Sequence, residues 1–402
     1  MNIILKLPFL SDSRNSLLKN TQIFYLILSV LTILYITQSY RIFLKAADLV
    51  YLLRVTEDYV LLCIFLIFII YHNQIKFRAL APFVLLFSYA SIYYILTYEF
   101  DFIRGFTLIM LFYTVGINVV TYLKPNHFFY ILTLVGIISA LTFLINIERS
   151  FSEYIVESMR IHAEGEGINM NANNIALIMV SITTAVTVLR DNMSYIKYSD
   201  FLITTLYVAV AFVILITSTR SAGIFYLILI AYNLSKIGYM KLFLFLFLFL
   251  LLILTTIWFN ENTLISDLNI LDRTINSNYQ SSERFMATYS SLSIFSDQPL
   301  FGVSADELSL VQMDKIGAID HNFYAKLLGS NGLIGFFFVM LFFNSITTKF
   351  SKNVNGFYLL KAYFFYSLIF TPQGPGMILI AVVIYYLSEL RALVNVHPSK
   401  FL

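Results

Sequence analysis

Apolar runs long enough to cross a membrane recur along the whole chain and leave little sequence for any other kind of structure. Taking runs of about 17–22 residues as membrane-spanning helices predicts about twelve spans in the 402 residues, with eleven or thirteen as the alternatives. They fall near 22–38, 58–72, 80–98, 102–123, 127–146, 172–189, 200–218, 221–235, 240–258, 332–348, 357–371 and 374–390. Only 12% of the residues are charged, against about 25% in soluble domains. The sequence therefore predicts an all-α, polytopic membrane protein with one integral domain over residues 1–402.

Basic residues are concentrated in the loops on one predicted side of the bundle. The segments on that side hold more than half of the 26 Lys and Arg residues but few of the 23 acidic residues. Short loops rich in Lys and Arg remain in the cytoplasm. Because an even number of spans puts both ends of the chain on one side, we expect both termini in the cytoplasm and the longest loop outside it.

That longest loop, residues 260–331, is the only long polar segment of the chain. It lies between two membrane-length apolar runs, and hydrocarbon cannot solvate the polar groups of a reaction. We therefore expect the chemistry in this loop, with the next span beginning at Gly332. Gly329, Gly332 and Gly335 are expected to loosen the return of the chain into the membrane. The 39 Phe and 28 Tyr residues are expected mainly at lipid-facing and interfacial positions.

Two shorter segments are predicted on the same side of the membrane as this longest loop. Residues 39–58 mix charged and apolar side chains, which suits either an amphipathic helix at the membrane interface or a charged connector. Residues 148–171 are acidic and precede an apolar helix that starts with several asparagines. Asn173 or Asn174 is expected to cap that helix, and a direct role of Asn173 in substrate binding is the alternative.

Arg220 follows Thr217 and Thr219 and precedes Ser221, between the predicted seventh and eighth spans. A guanidinium at the membrane edge binds a phosphate or diphosphate through two parallel hydrogen bonds. The three hydroxyl groups add donors, and the start of the next helix favours an anion. An arginine that only reaches the lipid headgroups is the alternative.

Two further candidates lie in the polar loop. Arg284 is on a segment with amphipathic spacing, where it could be a surface residue or an anion ligand. His321 lies just before a predicted helix that begins at Asn322. A histidine titrates near neutral pH, which suits a general base that removes a proton from an attacking hydroxyl. The sequence has no cluster typical of a metal site and no glycine-rich nucleotide loop, so we expect no cofactor.

Three motifs together resemble those of the O-antigen ligase/polymerase superfamily. They are Thr217 to Arg220, the outer loop with Arg284 and the Pro299–Gly302 turn, and the pair His321 and Asn322 followed by Gly332 to Gly335. The resemblance implies a glycosyltransferase C-like enzyme of the bacterial inner membrane, with residues 260–331 as a large periplasmic loop. Its donor would be a glycan carried on undecaprenyl diphosphate.

The resemblance also implies roles for the candidate residues. Arg220 and Arg284 would hold the diphosphate as leaving group, and His321 would act as base or position the acceptor. Thr217, Thr219, Ser221, Asn173 and Asn322 are expected to contact substrate. Developing negative charge on the leaving group requires cations already in place, which agrees with the analysis of the residues themselves.

Several functions share this chemistry. The leading hypothesis is an O-antigen or capsular polysaccharide polymerase, whose acceptor is another lipid-linked glycan, working with other polysaccharide assembly proteins and no nucleic acid. The alternative is an O-antigen ligase that transfers the glycan to lipid A core, although Phe336 follows Gly335 where that branch often has a small residue. Transfer to a protein and transport of lipid-linked sugars are further alternatives.

Overall fold

The computed structural model describes residues 17–46, 81–97, 100–121, 123–154, 162–163, 170–193, 198–217, 220–234, 278–317, 322–348, 355–370 and 375–396. Within these ranges the chain is helical, apart from two antiparallel strands, β1 (His162–Ala163) and β2 (Met170–Asn171). The described helices are α1 (Leu17–Ile36), α2 (Tyr40–Ala46), α3 (Ala81–Thr97), α4 (Phe100–Val120), α5 (Pro125–Tyr154), α6 (Ala172–Asp191), α7 (Ser199–Thr217), α8 (Arg220–Leu234), α9 (Asn278–Asp297), α10 (Ala305–Ile316), α11 (Phe323–Thr348), α12 (Phe357–Phe370) and α13 (Pro375–Val396).

The all-α prediction is confirmed. Every predicted span within the described residues corresponds to a helix, while the spans predicted at 58–72 and 240–258 lie outside those residues. Three described segments are long and apolar enough to cross a membrane, namely Pro125–Asn146, Asn174–Asp191 and Phe323–Thr347. The number of spans, the single domain and the membrane side that each end faces stay predictions.

Some predicted boundaries are wrong. Helix α5 continues to Tyr154, beyond the predicted end at residue 146. Helix α6 begins at Ala172, so Asn173 and Asn174 lie inside its first turn and do not precede it as caps. Within the segment expected to lie at the interface, α2 covers Tyr40–Ala46 and packs against α5, while residues 47–58 lie outside the described residues.

Helices α6 and α13 form the centre of the bundle and pack against each other. Around them lie α1, α4, α5, α7, α8, α11 and α12. Every residue of α13 from Met377 to Leu387 is buried, as expected for a helix that is apolar on all sides. Outer helices are apolar on the outside too: in α8, Ile224 and Leu227 are both 55% exposed.

The expectation that aromatic residues lie mainly against lipid is wrong for several tyrosines. Tyr113, Tyr363 and Tyr386 are among the largest fully buried side chains. The hydroxyl of Tyr363 donates to the Leu177 carbonyl at 2.6 Å, and that of Tyr386 donates to the Leu123 carbonyl at 3.0 Å. A buried hydroxyl needs such a partner, so Tyr363 joins α12 to α6, and Tyr386 joins α13 to the segment after α4.

Helix ends predicted for the cytoplasmic side meet at one end of the bundle. Asn192, after α6, and Asn355, before α12, exchange two hydrogen bonds of 2.8 and 2.9 Å. The Tyr232 hydroxyl of α8 donates to the Asp191 carboxylate at 2.7 Å. Arg190 forms an ion pair with Asp200 at the start of α7. The predicted connectivity therefore agrees with the packing at this end.

Helix α11 is broken and bent back on itself at Gly332. That residue has φ 62° and ψ −166°, far from helical values. The rings of Phe323 and Phe343 lie with centroids 5.9 Å apart, whereas twenty residues of straight helix would separate them by about 30 Å. Residues 323–331, the first arm, therefore run antiparallel to residues 333–348, the second arm.

The Pro299–Gly302 turn caps both arms at the break. The N–H groups of Leu333 and Ile334 donate to the carbonyls of Pro299 and Leu300 at 2.8 and 3.2 Å, and Val303 N–H donates to the Gly329 carbonyl at 3.0 Å. These bonds satisfy backbone groups that a broken helix leaves without partners. The turn and the glycine-rich segment, predicted as separate motifs, form one structural unit.

The glycines at the break allow close packing, so the prediction that they loosen the chain is wrong. A Cβ atom on Gly302, which has φ 65°, would lie 2.5 Å from the Gly329 carbonyl oxygen. A Cβ atom on Gly332 would lie 2.6 Å from Phe301 N, and one on Gly335 would overlap Asn331 and Tyr89. Only glycine fits where backbones approach this closely.

The polar segment is more structured than a loop where the structure describes it. Helices α9 and α10 pack against each other and against α11. The buried Gln312 side chain of α10 donates to the Ala287 carbonyl at 2.9 Å and to Ser291 Oγ at 2.8 Å in α9. Ser304 caps α10 by accepting from Glu307 N, and Gly317 ends it with φ 72°. Residues 260–277 lie outside the described residues.

Candidate functional site

Two helix N-termini meet the same turn of α12. The Tyr366 hydroxyl of α12 donates to the Ser221 carbonyl in the first turn of α8 at 2.8 Å. The Phe365 carbonyl, one residue away, accepts from the Tyr324 hydroxyl in the first turn of α11 at 2.8 Å. Arg220 begins α8, and His321 precedes Asn322 in the chain. The starts of the two helices thus lie at one level of the bundle.

Arg284 belongs to the same level by helical register. Helix α9 and the first arm of α11 both end at the Pro299–Gly302 turn, so they run in the same direction. A Cβ atom on Gly329 would lie 2.9 Å from the Ser291 carbonyl oxygen, which fixes these two residues side by side. Arg284 precedes Ser291 by as many residues as Asn322 precedes Gly329, so both lie about two turns before this contact.

The start of α6 reaches this level as well. Tyr363 lies one turn before Tyr366 in α12 and bonds to the Leu177 carbonyl of α6. Asn173 lies about one turn before Leu177. By helical register, the backbone positions of Asn173, Arg220, Arg284 and Asn322 therefore lie at about one level of the bundle.

Two described side chains show how the helix ends at this level are stabilised. Asn322 Oδ1 accepts from Tyr324 N at 3.1 Å and from Ala325 N at 3.4 Å, so it caps the first arm. The Thr217 hydroxyl is buried and donates to the Ile214 carbonyl at 3.3 Å within α7. The side chains of Asn173, Arg220 and Arg284, together with the whole of Thr219 and His321, lie outside the described residues.

The helix starts at this level form an environment that suits an anion. The first backbone N–H groups of a helix have no partner inside the helix, and the helix dipole adds partial positive charge there. Two helices, α6 and α8, present their N-termini at this level beside the Asn322-capped start of the first arm, and two arginines are positioned with them in the sequence. Within the described ranges, no group of three or more His, Cys, Asp or Glu residues could hold a metal ion.

The sequence analysis did not identify the residues that hold the helix starts at this level. Tyr324, Tyr363 and Tyr366 join α11, α6 and α8 to α12 across 41, 186 and 145 positions of the chain. Nothing distinguishes them locally from the other 25 Tyr residues of the 28 in the chain. Spacing along one helix gives a weak signal, because Tyr363 and Tyr366 are three residues apart and share a face.

Comparisons with known proteins add no family assignment. No protein-family model matches the chain, and no curated protein matches its sequence. The family resemblance therefore rests on the motifs, and conclusions about function rest on the geometry.

Proposed function

We propose that this protein is a membrane-embedded glycosyltransferase that transfers a glycan from undecaprenyl diphosphate to a sugar hydroxyl, as an O-antigen or capsular polysaccharide polymerase. The observation that carries the proposal is the shared turn of α12. There, Tyr366 bonds to Ser221 beside Arg220, and the Phe365 carbonyl accepts from Tyr324 near His321. Transfer requires a diphosphate site and a general base near the same sugar carbon, because the leaving group and the acceptor hydroxyl both act on that carbon. The shared turn supports this by holding the starts of α8 and α11 against one helix.

In the proposed reaction, the acceptor hydroxyl attacks the anomeric carbon of the donor sugar, and the bond from that carbon to the diphosphate oxygen breaks. His321 takes the hydroxyl proton. Arg220 and Arg284, with the N-terminus of α8, stabilise the negative charge that develops on the diphosphate. The products are the extended glycan and undecaprenyl diphosphate. The site would face the periplasm.

The polymerase and the ligase share the diphosphate chemistry and differ in the acceptor. The deciding experiment is the glycan profile of a deletion strain, examined on lipid A core and on the undecaprenyl carrier. A polymerase deletion leaves a single repeat on lipid A core and no long chains anywhere. A ligase deletion leaves long chains on the carrier and none on lipid A. An unchanged profile would contradict both functions.

A transporter of lipid-linked sugars is the second candidate, because α11 is discontinuous. Broken helices whose N-termini point at an anionic substrate are common in transporters. Purified protein in liposomes separates the two candidates. Transfer of glycan between two lipid-linked substrates on the same membrane face supports the enzyme, whereas movement of the lipid-linked sugar across the bilayer without any new glycosidic bond would contradict it. Arg220→Ala is the variant expected to lose transfer.

A further inference from the structure

A cavity of about 620 Å³ lies on the other side of α11, between α3, the second arm of α11, the Pro299–Gly302 turn and the start of α10. The anion-binding level lies about ten residues down the first arm from Gly332, a distance of about 15 Å. The cavity lies beside the break instead, where Tyr93 donates to the Ser330 carbonyl at 3.3 Å. It is therefore a separate feature.

The lining combines an aromatic wall with polar groups at the mouth. The Tyr89 ring stacks on Phe338 with centroids 5.3 Å apart and lies 6.1 Å from the ring of Tyr93. Gln298 and Glu307, both exposed, complete the lining at the turn and at the start of α10. Among the described residues that line the cavity, none is Lys or Arg.

This composition selects one class of ligand. Aromatic side chains supply flat apolar surface, and a sugar ring has an apolar face of C–H groups. A carboxylate accepts from neighbouring hydroxyls, and an amide both donates and accepts. An acyl chain would form no hydrogen bonds with Gln298 or Glu307, and a phosphate would meet the Glu307 charge without a cation from the described lining. The volume is in the range of about 300–1,000 Å³ typical of ligand sites.

We propose that this cavity binds a neutral segment of the glycan, so that the saccharide is held beside the break in α11 while its end reaches the diphosphate level. The identity of the ligand rests on the proposed function. Glu307 and Gln298 bind the sugar hydroxyls, and the Tyr89, Tyr93 and Phe338 rings cover its apolar face. Such a site orients the acceptor or the growing chain; it takes no part in bond breaking.

The test measures binding and transfer separately on purified protein in nanodiscs. The binding probe is the free oligosaccharide released by mild acid from the lipid-linked repeat units of the source strain. Ser88→Trp fills the cavity from α3, and Val84→Trp is its control, because Val84 lies one turn away and does not line the cavity. Glu307→Gln removes the charge but preserves the capping pattern with Ser304. Asp306→Asn removes a charge from the same first turn of α10.

Ser88→Trp and Glu307→Gln are expected to weaken oligosaccharide binding by about tenfold or more, while Val84→Trp, Asp306→Asn and Arg220→Ala bind like the wild type. Absence of binding to the wild type, or equal binding to Ser88→Trp, would overturn the inference. If the wild type transfers glycan and Ser88→Trp transfers equally well, the proposed function stands and the saccharide site fails. If the oligosaccharide binds at the cavity but no glycan is transferred, the site stands and the proposed function fails.

Discussion

The rings of Phe323 and Phe343 lie with centroids 5.9 Å apart, although twenty residues of one apolar helix separate them. This contact means that the first arm of α11 returns along the second. The start of the first arm, with Asn322 as its cap, therefore lies inside the bundle at the level of Phe364, whose ring is 5.3 Å from that of Phe343.

Cysteine cross-linking tests the bend directly. Cys63 is the only cysteine of the chain, so the test uses a Cys63→Ser background. In that background, a short bis-methanethiosulfonate reagent is expected to join Phe323→Cys to Phe343→Cys. Mass spectrometry detects the cross-linked product. A straight helix would hold these positions about 30 Å apart, beyond the reach of the reagent. The control pair Phe323→Cys and Leu333→Cys lies about 15 Å apart in either geometry and is expected to remain unlinked. Absence of the first product would contradict the bend.

Alanine at Gly302 or Gly332 is expected to destabilise the protein far more than alanine at Gly317. All three residues have positive φ, which costs a non-glycine residue about 1–2 kcal/mol. A Cβ at Gly302 or Gly332 would also overlap backbone atoms, whereas nothing lies within 4 Å of one at Gly317. The added strain is about 1–3 kcal/mol. Thermal unfolding in detergent measures the difference, and equal melting temperatures for the three variants would contradict the docking of the turn on α11.

The positions of the helices could be predicted because each requires a run of apolar residues, and such runs are visible one at a time. The break in α11 could not be predicted in this way. Residues 323–347 have the length and composition of an ordinary span, and the bend depends on contacts with the Pro299–Gly302 turn some thirty positions earlier. The glycines marked the place, but flexible and tightly packed glycines look the same in a sequence.

The segments that contribute to the candidate site could be predicted from the sequence, but the way in which they pack together could not. Arg220, Arg284 and His321 stand out because ionisable residues near apolar helices are rare. The common level of the starts of α8 and α11 depends on hydrogen bonds from Tyr366 and Tyr324 to backbone carbonyls. Any residue supplies a carbonyl, so the sequence of the acceptor gives no sign of the contact. The roles of the two arginines and the histidine stay predictions.

Tyr366→Phe and Tyr324→Phe are expected to lower glycan transfer more than they lower stability. Each removes one hydroxyl that fixes the start of α8 or of α11 against α12, at a cost of about 0.5–1.5 kcal/mol. Tyr386→Phe is the matched control, since Tyr386 is also a buried tyrosine and donates to the Leu123 carbonyl, which is not part of the site. We expect similar melting temperatures for all three variants and a several-fold lower kcat for the first two. An equal effect of Tyr386→Phe on kcat would count against the shared turn.

Gln312→Ala is expected to impair the folding of the α9 and α10 pair. The Gln312 side chain is fully buried and supplies both hydrogen bonds that hold α10 to the Ala287 and Ser291 region of α9. Its loss leaves a cavity and costs about 1–3 kcal/mol. Lys315→Ala, one turn later and exposed, is the control. Faster proteolysis between residues 298 and 317 in Gln312→Ala alone would support the assignment, and unchanged proteolysis would contradict it.

Inorganic pyrophosphate is expected to inhibit transfer by occupying the diphosphate position. Arg220→Lys and Arg284→Lys keep the charge but lose the planar fork that binds two oxygens at once, so they are expected to retain measurable transfer while the inhibitory concentration rises about tenfold, or about 1.4 kcal/mol. The control is Lys315→Arg, because Lys315 is exposed on α10 and is not part of the site. Raised salt is expected to weaken inhibition of the wild type most, since screening acts on the charges that bind the anion. Equal inhibition of the wild type and both arginine variants would show that the diphosphate lies elsewhere.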